Sequence, residues 1–227
     1  LRYDKAVLFA GPSTFGLPDE LLGQSGMIVY PPAKRGDIAA LTGSGTEPCT
    51  LILADGIFHS ELAVGHVELR DAITQGWDVW GVSSMGAIRA SEMHHLGMRG
   101  YGRVFELFAA DVDFSDDEVA LLHAPMQPYF PITEPLVHTR FLLDHLQGSD
   151  LLDGDAAVAI IASLKARWFG FRTPELLEKL LGEVGGLDLP ACKSALQQQA
   201  QFRIKNQDLR NLLLERIASL PGVREAA

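Results

Sequence analysis

Along the first 130 residues, short apolar runs alternate with amphipathic stretches of helical spacing. This is the rhythm of strand-helix-strand units whose parallel sheet is buried on both faces. The pattern predicts strands over 6–10, 27–30, 50–54 and 79–82, and helices over 18–22, 37–41, 61–74 and 87–93. In the third of these helices Leu62, Val64, Leu69, Ala72 and Ile73 interleave with polar residues. After Pro131 only helical periodicity remains, over 134–146, 155–169, 174–184, 190–202 and 207–220. Pro135 and Pro174 suit first-turn positions, and Gly148, Gly185 and Gly186 suit helix ends. The expected fold is α/β, with a small mostly parallel sheet flanked by helices in a core domain over 1–131. An all-helical extension or subdomain is expected over 132–227.

In an open parallel sheet the carboxyl ends of the strands share one edge, and ligands bind there. The four predicted strands run into Gly11-Pro12-Ser13-Thr14, Pro31-Pro32-Ala33-Lys34-Arg35-Gly36-Asp37, Asp55-Gly56 and Ser83-Ser84. Ser13, Lys34, Asp55 and Ser84 are therefore expected at one crevice. The turn from Val82 to Gly86 carries the strongest chemical signal, because an apolar run gives way to a helix-like run within a few residues. A hydroxyl presented there lies beside the free N–H groups of the helix's first turn, so a nucleophile and its oxyanion donors arrive together. The glycine that precedes the serine by two residues in a nucleophile elbow is absent, since that position before Ser84 is Val82. Serine is also a favoured helix N-cap, which explains the same residue by conformation alone.

Ser84 needs a base, and the chain offers Lys34 or a histidine, among them His66, His94, His95 and His123. A lysine serves as a base when burial or a neighbouring cation, here Arg35, favours its neutral form. His123 follows the acidic run Asp116-Asp117-Glu118, which produces a serine, acid, histidine chain order.

The net charge of −10 gives nucleic acid or an anionic membrane surface no counter-charge, so neither is an expected partner. Cys49 and Cys192 form no zinc or redox spacing, and no phosphate-binding glycine loop or metal-ligand spacing occurs. No cofactor is expected. With no apolar stretch of bilayer-spanning length and no signal-peptide pattern, the expected location is cytoplasmic.

Five segments then point to a family: Gly11-Pro12-Ser13, Pro31 to Asp37, Ala54-Asp55-Gly56, Gly65-His66-Val67-Glu68-Leu69, and Ser83-Ser84-Met85-Gly86-Ala87-Ile88-Arg89-Ala90-Ser91-Glu92. Together with Gly97-Met98, Gly102-Arg103-Val104-Phe105 and Asp116 to Ala120, their order resembles the TfuA family over residues 6 to about 137. The resemblance implies a partner of a YcaO-type ATP-dependent enzyme in backbone thioamidation of a ribosomally made precursor peptide or protein substrate. Such a partner is a hydrolase-like protein that releases sulfide from a thiocarboxylated ThiS-like sulfur-carrier protein, using a Ser-Lys pair. Carried over residue by residue, the serine falls on Ser84 and the lysine best fits Lys34. Helix N–H groups at Met85 and Gly86, with Ser13, would hold the oxyanion; Arg35 would neutralise the anionic thiocarboxylate, and Asp55 and Gly56 would line the substrate site. The alternative is a noncatalytic adaptor that grips the carrier's tail while the YcaO enzyme performs the chemistry. In either case the helical tail, with charges such as Arg172, Glu183 and Arg210, is a candidate docking surface.

Overall fold

The apolar runs form a sheet in which every strand is parallel. In the computed structural model, which describes residues 5–58 and 60–219, the strands are β1 (Ala6–Phe9), β2 (Met27–Tyr30), β3 (Thr50–Leu53), β4 (Asp78–Val82) and β5 (Arg99–Tyr101). Their order is β2-β1-β3-β4-β5. Phe9 pairs with Tyr30 and with Leu53, and Gly81 pairs with Leu53 and Gly100, so the carboxyl ends align along one edge. The order reverses between β1 and β3, which makes the loops after those strands the switch point of a doubly wound sheet.

Alternation along the strands assigns the two faces. Val7, Phe9, Leu51, Leu53 and Val79 pack on one side with Ile38, Leu69, Ala72, Met85 and Met93. Those residues come from α2 (Asp37–Gly43), α3 (His66–Thr74) and α4 (Met85–Met93). Leu8, Ala10, Ile52, Ala54 and Val82 pack on the other side with Leu21, Leu209, Leu212 and Leu213. Leu21 lies on α1 (Asp19–Leu22) and the other three on the last helix, Ile204–Ser219. Period-two strands buried on both faces need two layers of helices, and the end of the chain supplies part of the second layer.

The chain divides into two compact units. One joins the described residues up to Phe114 with those from Lys205 onward, and the other is Ser115–Ile204. The last helix therefore belongs with the sheet, although its periodicity alone groups it with the helical tail. Its expected end at residue 220 lies outside the described residues. Within the sheet unit, β5 and α5 (Gly102–Ala110) had no strand or helix predicted for them. Arg99-Gly100-Tyr101 contains no apolar run, because an edge strand is not buried on both sides. Helix α3 starts five residues later than its spacing suggests. The Leu62 and Val64 carbonyls accept hydrogen bonds from the Arg35 N–H and Arg89 Nε, and Glu68 Oε1 accepts the N–H of Gly65, the extended N-cap.

The second unit is helical: α6 (Leu136–Gly148), α7 (Gly154–Lys165), α8 (Pro174–Glu183) and α9 (Leu189–Gln198). The last helix, Ile204–Ser219, is α10. Leu136, Leu142, Leu146, Ile160, Leu177 and Leu181 form the core of this unit. Buried carboxylates pin it. Glu118 accepts both guanidinium arms of Arg140 and lies 3.3 Å from Lys165 Nζ. Glu134 holds His138 and Arg203. Burial pushes both carboxyls up, but these cations outweigh it and hold them below the usual carboxylate range. Arg172, read from the sequence as an exposed charge, is instead buried against Asp117 and the Leu164 carbonyl. No helix among the described residues is long and apolar enough to cross a membrane.

Candidate functional site

The turn after β4 is the most constrained part of the edge. Ser83 has φ +67°, a left-handed conformation that costs a non-glycine residue about 1–2 kcal/mol. Such outliers persist where the surrounding structure over-determines them, and they cluster at functional sites. Ser83 is fully buried, and its hydroxyl donates to the Lys205 carbonyl at 2.6 Å. Ser84 follows as the N-cap of α4 and is 1% exposed. Its hydroxyl has no hydrogen-bond partner among the described residues. The two adjacent serines therefore differ: one is a structural tie and the other is unengaged.

Helix α4 can begin this close to the sheet because its contact positions are glycines. A Cβ on Gly86 would lie 1.7 Å from the Leu53 carbonyl oxygen, and one on Gly81 would lie 2.0 Å from the Gly86 oxygen. The approach has a chemical consequence. The Gly86 N–H donates to the Ala54 carbonyl at 3.2 Å, as does the Ser84 N–H, so Gly86 is engaged rather than pointed at a ligand. The Met85 N–H, at the first helical position, has no acceptor among the described residues and remains the donor next to Ser84.

At the switch point, Asp55 closes the loop after β1. Its Oδ2 accepts the N–H groups of Gly11 and Ser13 at 2.8 and 2.9 Å, and its Oδ1 accepts the Ser13 hydroxyl at 2.8 Å. Ser13 and Asp55 are both buried. This pair is brought together as predicted, but in a mutual clamp that occupies the Ser13 hydroxyl. Gly56 adjoins both neighbouring loops: a Cβ there would meet Met85 Cγ at 2.8 Å and the Ala33 oxygen at 3.1 Å. The loops carrying Ser84, Gly56 and Lys34 are thus contiguous.

Lys34 itself faces outward. Its side chain is 48% exposed and its amine lies 3.7 Å from Glu61 Oε1. Of the two settings expected of a lysine base, burial or a neighbouring cation, burial is not what surrounds it. Lys34 lines an open groove of about 590 Å³ with Phe9, Tyr30, Pro32, Asp37 and Ile57, at the carboxyl ends of β1 and β2. Arg35 is exposed, with its N–H and Nε tied to the Leu62 and Ala63 carbonyls. Neither Lys34 nor Arg35 hydrogen-bonds Ser84 among the described residues.

The histidines are engaged elsewhere. His66 Nε2 lies 2.8 Å from Glu92, which also accepts from Arg89, and His94 Nδ1 lies 2.9 Å from the Ser91 carbonyl. His123 belongs to the helical unit, where its Nδ1 lies 2.7 Å from the Ala124 oxygen. Asp117 and Glu118 are held in that unit by arginines. Among the described residues no group of three or more His, Cys, Asp and Glu side chains is placed to hold a metal ion.

The start of α10 also reaches this edge, which sequence reasoning missed. Asn206 Nδ2 donates to the carbonyls of Pro12, Ser13 and Phe15 at 3.0–3.1 Å. Lys205 beside it is 1% exposed and among the largest fully buried side chains in the protein. Arg203-Ile204-Lys205-Asn206 carries no periodic signal, so only tertiary packing reveals these roles.

Comparison with curated proteins finds no match. The family described as TfuA-like protein matches residues 55–173, a span that includes Asp55, Gly56, Ser84, Met85 and Gly86 but not Ser13, Lys34, Arg35 or Lys205. The match covers just over half of the 227 residues and includes the strained serine turn, and the chain belongs to the TfuA-like family.

Proposed function

We propose that this protein is the hydrolase-like partner of a YcaO-type enzyme in peptide thioamide formation, releasing sulfide from a thiocarboxylated ThiS-type carrier with Ser84 as nucleophile. One observation carries the reading: a serine only 1% exposed, whose hydroxyl has no hydrogen-bond partner among the described residues, stands at the N-cap of a helix directly after a residue held at positive φ. A base takes the Ser84 proton as Oγ bonds to the thiocarboxylate carbon. The C–S bond then breaks, and sulfur departs as hydrosulfide with that proton. Water hydrolyses the acyl-serine, returning the serine hydroxyl and a free carrier carboxylate. The Met85 N–H and the helix dipole favour the oxyanion. The groove at Lys34 suits an extended anionic tail, with the exposed ammonium at its edge.

The test is sulfide release from thiocarboxylated carrier. Ser84→Ala is expected to lose at least about a thousandfold, and unchanged release would overturn the reading. One observation favours the adaptor alternative: the Gly86 N–H and the Ser13 hydroxyl are already committed, which leaves few oxyanion donors. If that alternative holds, Ser84→Ala retains full thioamidation when the YcaO enzyme is supplied.

A further inference from the structure

Strand β2 lies at one edge of the sheet and pairs only with β1 among the described residues. Its alternation splits it: Met27 and Val29 pack towards the face covered by α10, whereas Ile28 and Tyr30 belong to the other face and stay 56% and 38% exposed. The groove of about 590 Å³ lies there, lined by Phe9, Tyr30 and Ile57 from the strand ends and by Ala40 and Leu41 from α2. The Phe9 and Tyr30 rings stack with their centroids 5.2 Å apart, which gives the groove a flat apolar wall. Lys34 and Asp37 add one charge of each sign to the lining, so the groove selects by apolar contact rather than by net charge. An uncovered apolar surface with a few polar groups around it is the form of a binding groove.

The groove is continuous with the candidate site. Ile57 follows Gly56, which packs against Met85 beside Ser84. Tyr30 and Phe9 end β2 and β1, Ser84 follows β4, and the strand order places those two ends three and two strand spacings from β4. At about 4.8 Å per spacing the separation is about 10–14 Å, which an extended chain covers in about three to five residues at about 3.3 Å each. Resting on the reading that a carrier tail presents its terminal carbonyl to Ser84, we infer that the groove is a specificity subsite for one bulky apolar side chain of that tail, about three to five residues ahead of the carbonyl. A leucine, isoleucine or aromatic side chain there lies against the Phe9–Tyr30 wall, and its burial contributes about 10- to 100-fold in affinity. Contact this far from the reacting carbon sets the register of the tail and takes no part in the chemistry.

The experiment fills the groove from α2, where Ala40 is exposed. Wild type, Ala40→Trp, Tyr30→Ser and Ser84→Ala are compared in the full chain, with folding checked by thermal melting. Binding is read by fluorescence anisotropy with a labelled ThiS-type carrier in its carboxylate form, and sulfide release with the thiocarboxylated form. The carrier residues three, four and five positions before the terminal carbonyl are each replaced by aspartate. Ala40→Trp is expected to weaken binding at least about tenfold and to raise KM for sulfide release by as much, with the loss falling on KM rather than kcat. Aspartate at one of the three tail positions is expected to do the same, and the two changes together to cost little more than either alone, because they remove one contact. A folded Ala40→Trp that binds as wild type does, a tail indifferent to aspartate at all three positions, or fully additive losses would each overturn the inference. If Ala40→Trp does not fold, Tyr30→Ser decides: weakened binding supports the subsite and unchanged binding overturns it. Unchanged sulfide release by Ser84→Ala sinks the hydrolase reading instead, and anisotropy still reports the groove in that case because it requires no chemistry.

Discussion

Asp55 grips Ser13 at both of its donors, with Oδ1 on the hydroxyl at 2.8 Å and Oδ2 on the N–H at 2.9 Å, and the Gly11 N–H shares Oδ2. The carboxylate is buried, so these bonds replace water that the folded protein excludes. Asp55→Ala would leave buried donors of the 11–13 loop unsatisfied. It is expected to destabilise the protein by about 3 kcal/mol. Asp55→Asn, which keeps an acceptor but turns an amide towards a donor, is expected to lose about half as much. Denaturant melts of the three proteins check this, and equal stability of wild type and Asp55→Ala would contradict the clamp.

The neighbouring serines should separate into structural and chemical effects. Ser83→Ala removes a buried hydrogen bond and is expected to cost about 1–2 kcal/mol of stability. Ser84→Ala removes a hydroxyl that has no partner among the described residues and is expected to change stability by less than about 0.5 kcal/mol while abolishing sulfide release. Thermal melting and sulfide assays on the same preparations measure both.

Gly86→Ala sets a methyl group against the Leu53 carbonyl oxygen, at 1.7 Å before any shift. Backbone on both sides of that contact cannot rotate away as a flexible side chain would. Helix α4 must move off the sheet, at a cost of about 3 kcal/mol or more. The expected outcome is a strongly lowered melting temperature or an insoluble product. A melting temperature within a few degrees of wild type would show that the approach of α4 to β3 is looser than described.

Asp208 gives a pH signature. Burial first of all pushes its carboxyl up to about 6, against the hydrogen bonds it receives at the start of α5 and the attraction of Arg103. A carboxyl raised in the folded state binds its proton more tightly there than in the unfolded chain. Its contribution to stability is therefore fully present below about pH 4 and is lost as pH rises through about 6. Asp208→Asn keeps an acceptor for the Val104 N–H and removes the titration. Stability measured from pH 4 to 7 should fall less with rising pH in the variant. Parallel curves for the two proteins would contradict the assignment.

What the sequence alone determined is local. Runs such as Val7-Leu8-Phe9 and Leu51-Ile52-Leu53 are buried on both faces, so their hydropathy marks them as strands whatever they pair with. The passage from Val82 into the amphipathic stretch after Gly86 likewise marks Ser84 as the residue between strand and helix. The short β5, with arginine, glycine and tyrosine at the sheet's edge, carries no such mark, because edge strands bury little. The direction of a side chain and the state of its donors were decided only in three dimensions. Proline-stiffened Lys34 lies at the expected edge but faces Glu61, and Ser13 sits beside Asp55 with its hydroxyl already used. Lys205, more than 120 residues beyond Ser83, reaches the serine turn, and Asn206 reaches the 12–15 loop, because Leu209, Leu212 and Leu213 must cover the second face of the sheet. Hydrophobic burial is non-directional and depends on partners distant in the chain. Spacing could predict a helix over 207–220, but not that packing that helix on the sheet would bring the Lys205 carbonyl to the Ser83 hydroxyl.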